Sequence, residues 1–446
     1  MTNACFNLSV PYQPAAIGPL QLSKEKNKKD QPSTAAASQA PDTPSIADPN
    51  QSFSYGIPAC RSISLDTGYF ELNASSAQAR LGQEMFDLIT WPIDVGTQNS
   101  ELGNYGAARW FFWLPEAIAV NYVIYAYLLT VHEFGHAGRI DAFGQESFTG
   151  FFHYPEPGVQ DNRYFDSPHA YFGYALLHPG EGGFTGIYND QEGSVSAEQD
   201  ALISANGVNA NVFYGEQLSD QTYTRGQHFL NFFTLGQAQL AAALYVLSEN
   251  YNSYDTNGGD MAHLAEYYQQ QGYDISMRDI AKASKDAFLL SADTYAFGLG
   301  NAEYIFKGRI DPVQSWHIGP LRLPNMHSYL MPKGITQKIT SGITLGEHLK
   351  IPLAVETVIK GDRSVGEEYT LGTNISVDPI YAGAALLSSV RGSTGFDLNA
   401  GMRIGRILVS EGLTQFDRDT FFGQRHAPDL SVDKSYEFWA RVSWLY

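Results

Sequence analysis

The run Val131-His132-Glu133-Phe134-Gly135-His136 holds the residues of this chain best suited to chemistry. On a helix, His132 and His136 share a face, so both imidazoles reach a single Zn2+ while Glu133 stands beside the same open position. Two neutral nitrogen ligands leave the ion electron-poor enough to acidify a water. The intervening carboxylate then takes the proton and passes it to a leaving amine. Together the three side chains describe hydrolysis of peptide bonds by a metal-activated water. The plain alternative is a pair of core histidines, which metal content separates from the first reading.

That chemistry needs a buried helix to hold it. Leu128, Leu129, Val131, Phe134 and Ile140 surround the motif, Pro115 stands upstream at a helix start, and Gly135 and Gly138 lie near the end. The segment Phe111 to Val131 carries one carboxylate and no base over 21 residues. It is long enough to cross a bilayer, but Pro115, Glu116, Asn121 and three tyrosines favour a buried core helix. From Phe148 to Gly186 the chain is rich in Gly, Pro and aromatics and reads as irregular connections or short strands, with His153, His169 and His178 among them. Helical patterns return after Ser196, over Phe229 to Leu247, and as two more helices between Met261 and Ala296. Upstream, residues 73–89 read as a capped amphipathic helix.

After about Gly300 the period changes to two. Leu349, Ile351, Leu353 and Val355 alternate with Lys350, Pro352, Ala354 and Glu356, and the same alternation recurs near Tyr369, Phe396 and Phe438. The expected fold class is therefore α+β: residues 51–300 as a mostly helical metal-site domain, and 301–446 as an antiparallel β domain. Residues 1–50 form a separate segment, rich in Lys, Pro, Ser and Ala from Ser23 on, and are expected to be disordered.

Composition narrows the partners. The net charge of −19, with only 28 Lys and Arg, repels a phosphate backbone, so no nucleic acid partner is expected. An aromatic share of 13% against 17% charged residues points towards a membrane or another large apolar surface. The first residues lack a basic stretch followed by an apolar one, so no secretory leader is visible. Cys5 and Cys60 can pair or stay free.

Beyond the motif itself, VHEFGHAGR followed by Glu216 and Asp220 in an E-x-x-x-D spacing resembles the gluzincin-type zincin metallopeptidases. That resemblance implies a helical zincin-like domain in which Zn2+ is held by His132, His136 and Glu216. Glu133 would be the general base, with Asp220 or Asn209 orienting a ligand, and the substrate a protein or peptide. In helical register Asn209, Val212, Glu216 and Asp220 share a face. The apolar run into His-Glu-x-x-His, followed by ALISANGVNAN, is also similar to the site-2-type intramembrane proteases. There a later Asp is the third ligand, here Asp260, although the Asn-Pro and Asp-Gly elements expected near it are absent. Glu198 remains a further acidic candidate. The metzincin pattern is excluded, because Arg139 and Ala142 stand where its Gly and third His would be.

The closing segment, from Phe438 to the terminal Tyr446, resembles the last strand of bacterial outer-membrane β-barrels. It implies a possibly barrel-like β domain, a membrane partner and a cell-envelope location, outer membrane or periplasm, with the cytoplasmic membrane as the alternative under the site-2-type reading. A third possibility is a non-catalytic envelope protein whose β domain anchors and whose helices bind a partner.

Overall fold

The computed structural model describes residues 62–65, 86, 106–156, 159–179, 181–188, 195–252, 259–308, 312–346, 348–377, 379–405, 407–417, 419–421 and 434–445. The expectations for residues 1–50, for the helix at 73–89 apart from Phe86, for the two cysteines and for the terminal Tyr446 lie outside the described residues.

The fold is α+β. Helix α1 (Gly106–Ala142) carries the His-Glu-x-x-His run in its last third. Ala117, Val120, Ile124, Tyr127, Leu128 and Val131 recur at the three- and four-residue spacing of one helical face and enter a common core with Phe229, Leu230, Leu235, Phe297 and Tyr304. Its other side is exposed at Trp110, Phe111, Leu114 and Ile118. Residues Arg109–Asp141 are long and apolar enough to cross a membrane, with mean hydropathy 1.4 and half of the apolar window buried within the protein.

Strands β1 (Ser62–Leu65), β2 (Ser147–Glu156), β3 (Val159–Tyr164) and β4 (Gly183–Ile187) follow in the numbering, and the last three form a small antiparallel sheet in the order β3-β2-β4. Helix α2 (Pro168–Leu177) interrupts it with Pro in its first turn. Helix α3 (Ala197–Arg225) begins with a capping box, in which Ser196 accepts from the Gln199 amide while Gln199 accepts from the Ser196 amide. The expected single helix over Phe229 to Leu247 is two, α4 (Asn231–Gln239) and α5 (Ala241–Asn252). The chain turns at Leu240, whose amide bonds back to Gly236. Helices α6 (Asp260–Gln270), α7 (Met277–Leu290) and α8 (Ala292–Lys307) complete the helical part.

The remaining strands are β5 (His317–Ile318), β6 (Leu321–Met331), β7 (Gly334–Leu345), β8 (Leu349–Gly361), β9 (Glu367–Val377), β10 (Ile380–Ser389), β11 (Thr394–Ile404), β12 (Ile407–Asp417) and β13 (Lys434–Leu445). These nine form an antiparallel meander that β1 joins beside β13, giving a ten-stranded sheet in the order β1-β13-β12-β11-β10-β9-β8-β7-β6-β5. The alternation expected for residues 349–355, 369–375 and 396–404 corresponds to β8, β9 and β11.

Barrel-like closure is not what the structure has. Among the described residues the sheet stays open, and the reason lies at β6. There, beyond the two-residue pairing with β5, backbone groups that a closing strand would pair are taken by helix side chains. Asn209 bonds both the amide and the carbonyl of Leu330, at 2.9 and 2.8 Å. The Ser291 hydroxyl accepts from the Met326 amide and donates to its carbonyl, at 2.9 and 3.1 Å. Helical and β residues also share a core: Val208, Val212, Met261, Leu264, Tyr268 and Ile280 pack with Tyr329, Leu330 and Ile335.

Candidate metal centre

Two glycines let α1 and α3 approach closely at the motif. A side chain at Gly135 would meet the Asn206 carbonyl at 3.1 Å and Ala210 at 3.2 Å, and the Asn206 carboxamide donates to the Gly135 carbonyl at 2.5 Å. On the facing helix, a Cβ at Gly207 would stand 2.5 Å from His136 Nε2 and 2.8 Å from the His132 ring. The absence of that carbon keeps open the space in front of the two imidazoles. Gly207→Ala is expected to lower zinc affinity on the order of 10–100-fold while leaving the helices folded, measured by chelator competition alongside circular dichroism.

His132 and His136 are buried, with their Nε2 atoms 3.0 Å apart. His136 Nδ1 lies 2.6 Å from the Ile203 carbonyl, which places a proton on that nitrogen and directs Nε2 towards His132 and Asp260. Asp260, the first residue of α6, brings Oδ2 to 3.4 Å from His132 Nε2 and 3.0 Å from His136 Nε2. Glu249 on α5 holds the start of α6 in place by accepting from the Met261 and Ala262 amides at 2.9 and 3.1 Å. Tyr245 stacks on the His132 ring at 4.7 Å between centroids.

This donor set fits a divalent metal. Tetrahedral zinc with nitrogen and oxygen donors sets its ligand atoms about 3.3 Å apart, close to the three separations found here. Two imidazoles and a carboxylate are a usual zinc set, and the lack of a side chain at Gly207 lets α3 pack against the two rings without displacing them. In the metal-free protein, burial pulls the His136 imidazole down, but the adjacent Asp260 outweighs it and pushes the group up to about 9. Metal binding therefore displaces a proton.

Glu133 is buried on the same turn. Burial pushes its carboxyl above the ordinary range, against the opposing pull of the two histidines. The Thr185 hydroxyl on β4 lies 2.9 Å from Glu133 Oε2 and 3.0 Å from its carbonyl. A Cβ at Gly183 would come within 2.8 Å of Glu133 Oε1 and 2.1 Å of the Tyr171 hydroxyl. That hydroxyl is buried and has no hydrogen-bond partner among the described residues.

Glu216, expected as third ligand, is elsewhere. Its carboxylate accepts from Lys338 Nζ at 2.6 Å and from the Tyr329 hydroxyl. Asp220, expected to orient a ligand, pairs with Arg322 at 3.2 Å, and Asn209 clamps Leu330. The physical reason is register. Glu216 is nine residues beyond Gly207, about two and a half turns, and so lies on the opposite side of α3. The face shared by Asn209, Glu216 and Asp220 exists as expected, but it meets the sheet rather than the histidines. Glu198 is exposed in the first turn of α3.

Thr185, Tyr245 and Tyr171 carried no signal in the sequence, because only the fold brings β4, α5 and α2 against the motif, whereas Gly207 lies in the ALISANGVNAN segment whose site-2-type resemblance placed it beside the site. Neither a protein-family model, nor a curated protein, nor a solved structure matches this chain.

Proposed function

We propose that this chain is a zinc-dependent metallopeptidase in which His132, His136 and Asp260 hold the metal and Glu133 is the general base. The observation that carries this reading is the convergence of two imidazoles and one carboxylate at tetrahedral spacing beside a buried glutamate. Zinc bound there supplies Lewis-acid activation of water and of a scissile carbonyl. Glu133, its carboxyl raised by burial and steadied by Thr185, would accept the proton from such a water and return it to the departing amine. Tyr171 presents its unpaired hydroxyl on the Gly183 side of Glu133, where a donor can meet charge developing on a carbonyl oxygen.

The carboxylate at Asp260 and the contact of the ALISANGVNAN helix with the motif favour the site-2-type donor set over the gluzincin-type one. Protein or peptide substrates and a cell-envelope location belong to the same proposal, the latter supported by the closing-strand pattern and the scarcity of charge.

Glu133→Ala is expected to keep one zinc per chain and to lose roughly 10²–10⁴-fold in hydrolysis of a peptide library. Activity equal to that of the parent in this variant rules out the mechanism. A parent chain that binds zinc and cleaves nothing leaves a structural metal site instead.

A further inference from the structure

The large sheet has its polarity reversed. Along β9 the outward positions are Tyr369, Leu371, Thr373, Ile375 and Val377, while Glu368, Thr370, Gly372, Asn374 and Ser376 face the other way. The register carries this across the neighbouring strands: Leu371 stands opposite Leu353 and Leu386, Ile380 opposite Met402, and Met402 opposite Val409. On β9–β12 these outward side chains are exposed, with Leu371 at 56% and Leu386 at 64%, while Leu353 on β8 is half-buried. On the reverse face the polar ones are buried. Thr336 donates to Glu356 at 2.6 Å, Thr414 donates to Asp397 at 2.6 Å, and Glu368 accepts from the Phe421 amide at 2.6 Å. An antiparallel sheet with one face in water has the opposite arrangement, polar side chains out and apolar side chains in.

We infer that the outward face of β7–β12 lies in the hydrocarbon of a lipid bilayer. Three observations select lipid over other apolar occupants. The six strands have nearly uniform lengths of 10 to 13 residues. At about 3.3 Å per residue and a tilt near 45°, that length spans roughly 25 Å, the apolar height of a membrane-crossing sheet. The outward positions between the strand ends carry one acidic and no basic side chain, Glu411 on β12, a scarcity that matches hydrocarbon rather than a protein partner with a polar rim. Hydrocarbon also forbids unpaired backbone, and along β6, past its short pairing with β5, the amides and carbonyls of Met326 and Leu330 are taken by Ser291 and Asn209 instead of by another strand.

The test uses the full chain with Cys5→Ser and Cys60→Ser and single cysteines at Leu371, Leu386 or Leu398, each beside an inward neighbour at Thr370, Ala385 or Asn399. Each carries an environment-sensitive fluorophore in phosphatidylcholine vesicles with brominated acyl chains. Quenching by bromolipid at least threefold stronger at the outward member of each pair is the expected result, with iodide quenching weak there. Equal quenching within pairs overturns the proposal. So does a detergent-free dimer with the outward labels shielded, which makes a second copy of this chain the occupant. Circular dichroism of the same samples reports folding, which keeps the outcome separate from that of the metal site.

Discussion

Asp260→Ala is expected to abolish stoichiometric zinc binding, whereas Glu216→Gln is expected to retain one zinc per chain. Structural zinc sites draw about 10–16 kcal/mol from their full ligand sets. Removing one of three protein ligands therefore takes roughly 3–5 kcal/mol, or about two to nearly four orders of magnitude in affinity. The geometry makes the contrast sharp. Asp260 Oδ2 lies within 3.4 Å of both Nε2 atoms, while the Glu216 carboxylate is engaged by Lys338 and Tyr329 on the sheet side of α3. Metal analysis of the two variants after dialysis decides the matter. Zinc kept by Asp260→Ala and lost by Glu216→Gln would return the ligand role to Glu216.

The second large effect concerns Glu216 as a structural acid. Burial alone would raise its carboxyl, but Lys338, His327 and the hydrogen bond from Tyr329 overcome that and hold it at about 2, below the ordinary value of 4.5. A depressed carboxyl stabilises the fold above its unfolded pKa, and this stability is lost as pH falls through the folded value. The shift corresponds to roughly 3 kcal/mol, present at neutral pH and lost between about pH 4.5 and pH 2. Urea midpoints across that range should fall more steeply in the parent than in Glu216→Gln. At pH 7 the variant should be less stable by about 3–5 kcal/mol, because it leaves Lys338 enclosed without its counter-charge. Parallel pH profiles for the two proteins would show that the pair contributes nothing.

The sequence carried the metal motif and the strand alternation, for different reasons. His132, Glu133 and His136 are set by a local helical period, so their mutual placement needs no tertiary knowledge. The third ligand is a long-range matter. Glu216 and Asp260 differ in whether they meet the motif only through the rotation of α3 and the cap that Glu249 gives α6. A shared face on α3 was legible from spacing. What it faced was not, since periodicity defines a stripe and says nothing of its neighbour. The sheet posed the same limit in another form. Alternation at Leu371 and Thr370 fixes two faces, and both a lipid-facing and a core-facing strand produce it, so which face is buried had to come from the fold. Closure was equally out of reach, because Asn209 and Ser291 occupy the β6 edge from helices more than thirty residues away.

The Asn209 clamp has a consequence for how the molecule comes apart. Asn209 sits two residues beyond Gly207, the residue that faces the histidines, and both of its polar groups are spent on Leu330 of β6. Opening the sheet at β6 therefore strips α3 of its anchor, and melting α3 leaves a bare strand edge. The chain reads as a helical half followed by a β half, yet this seam ties the histidine cluster and the sheet into one cooperative unit of unfolding.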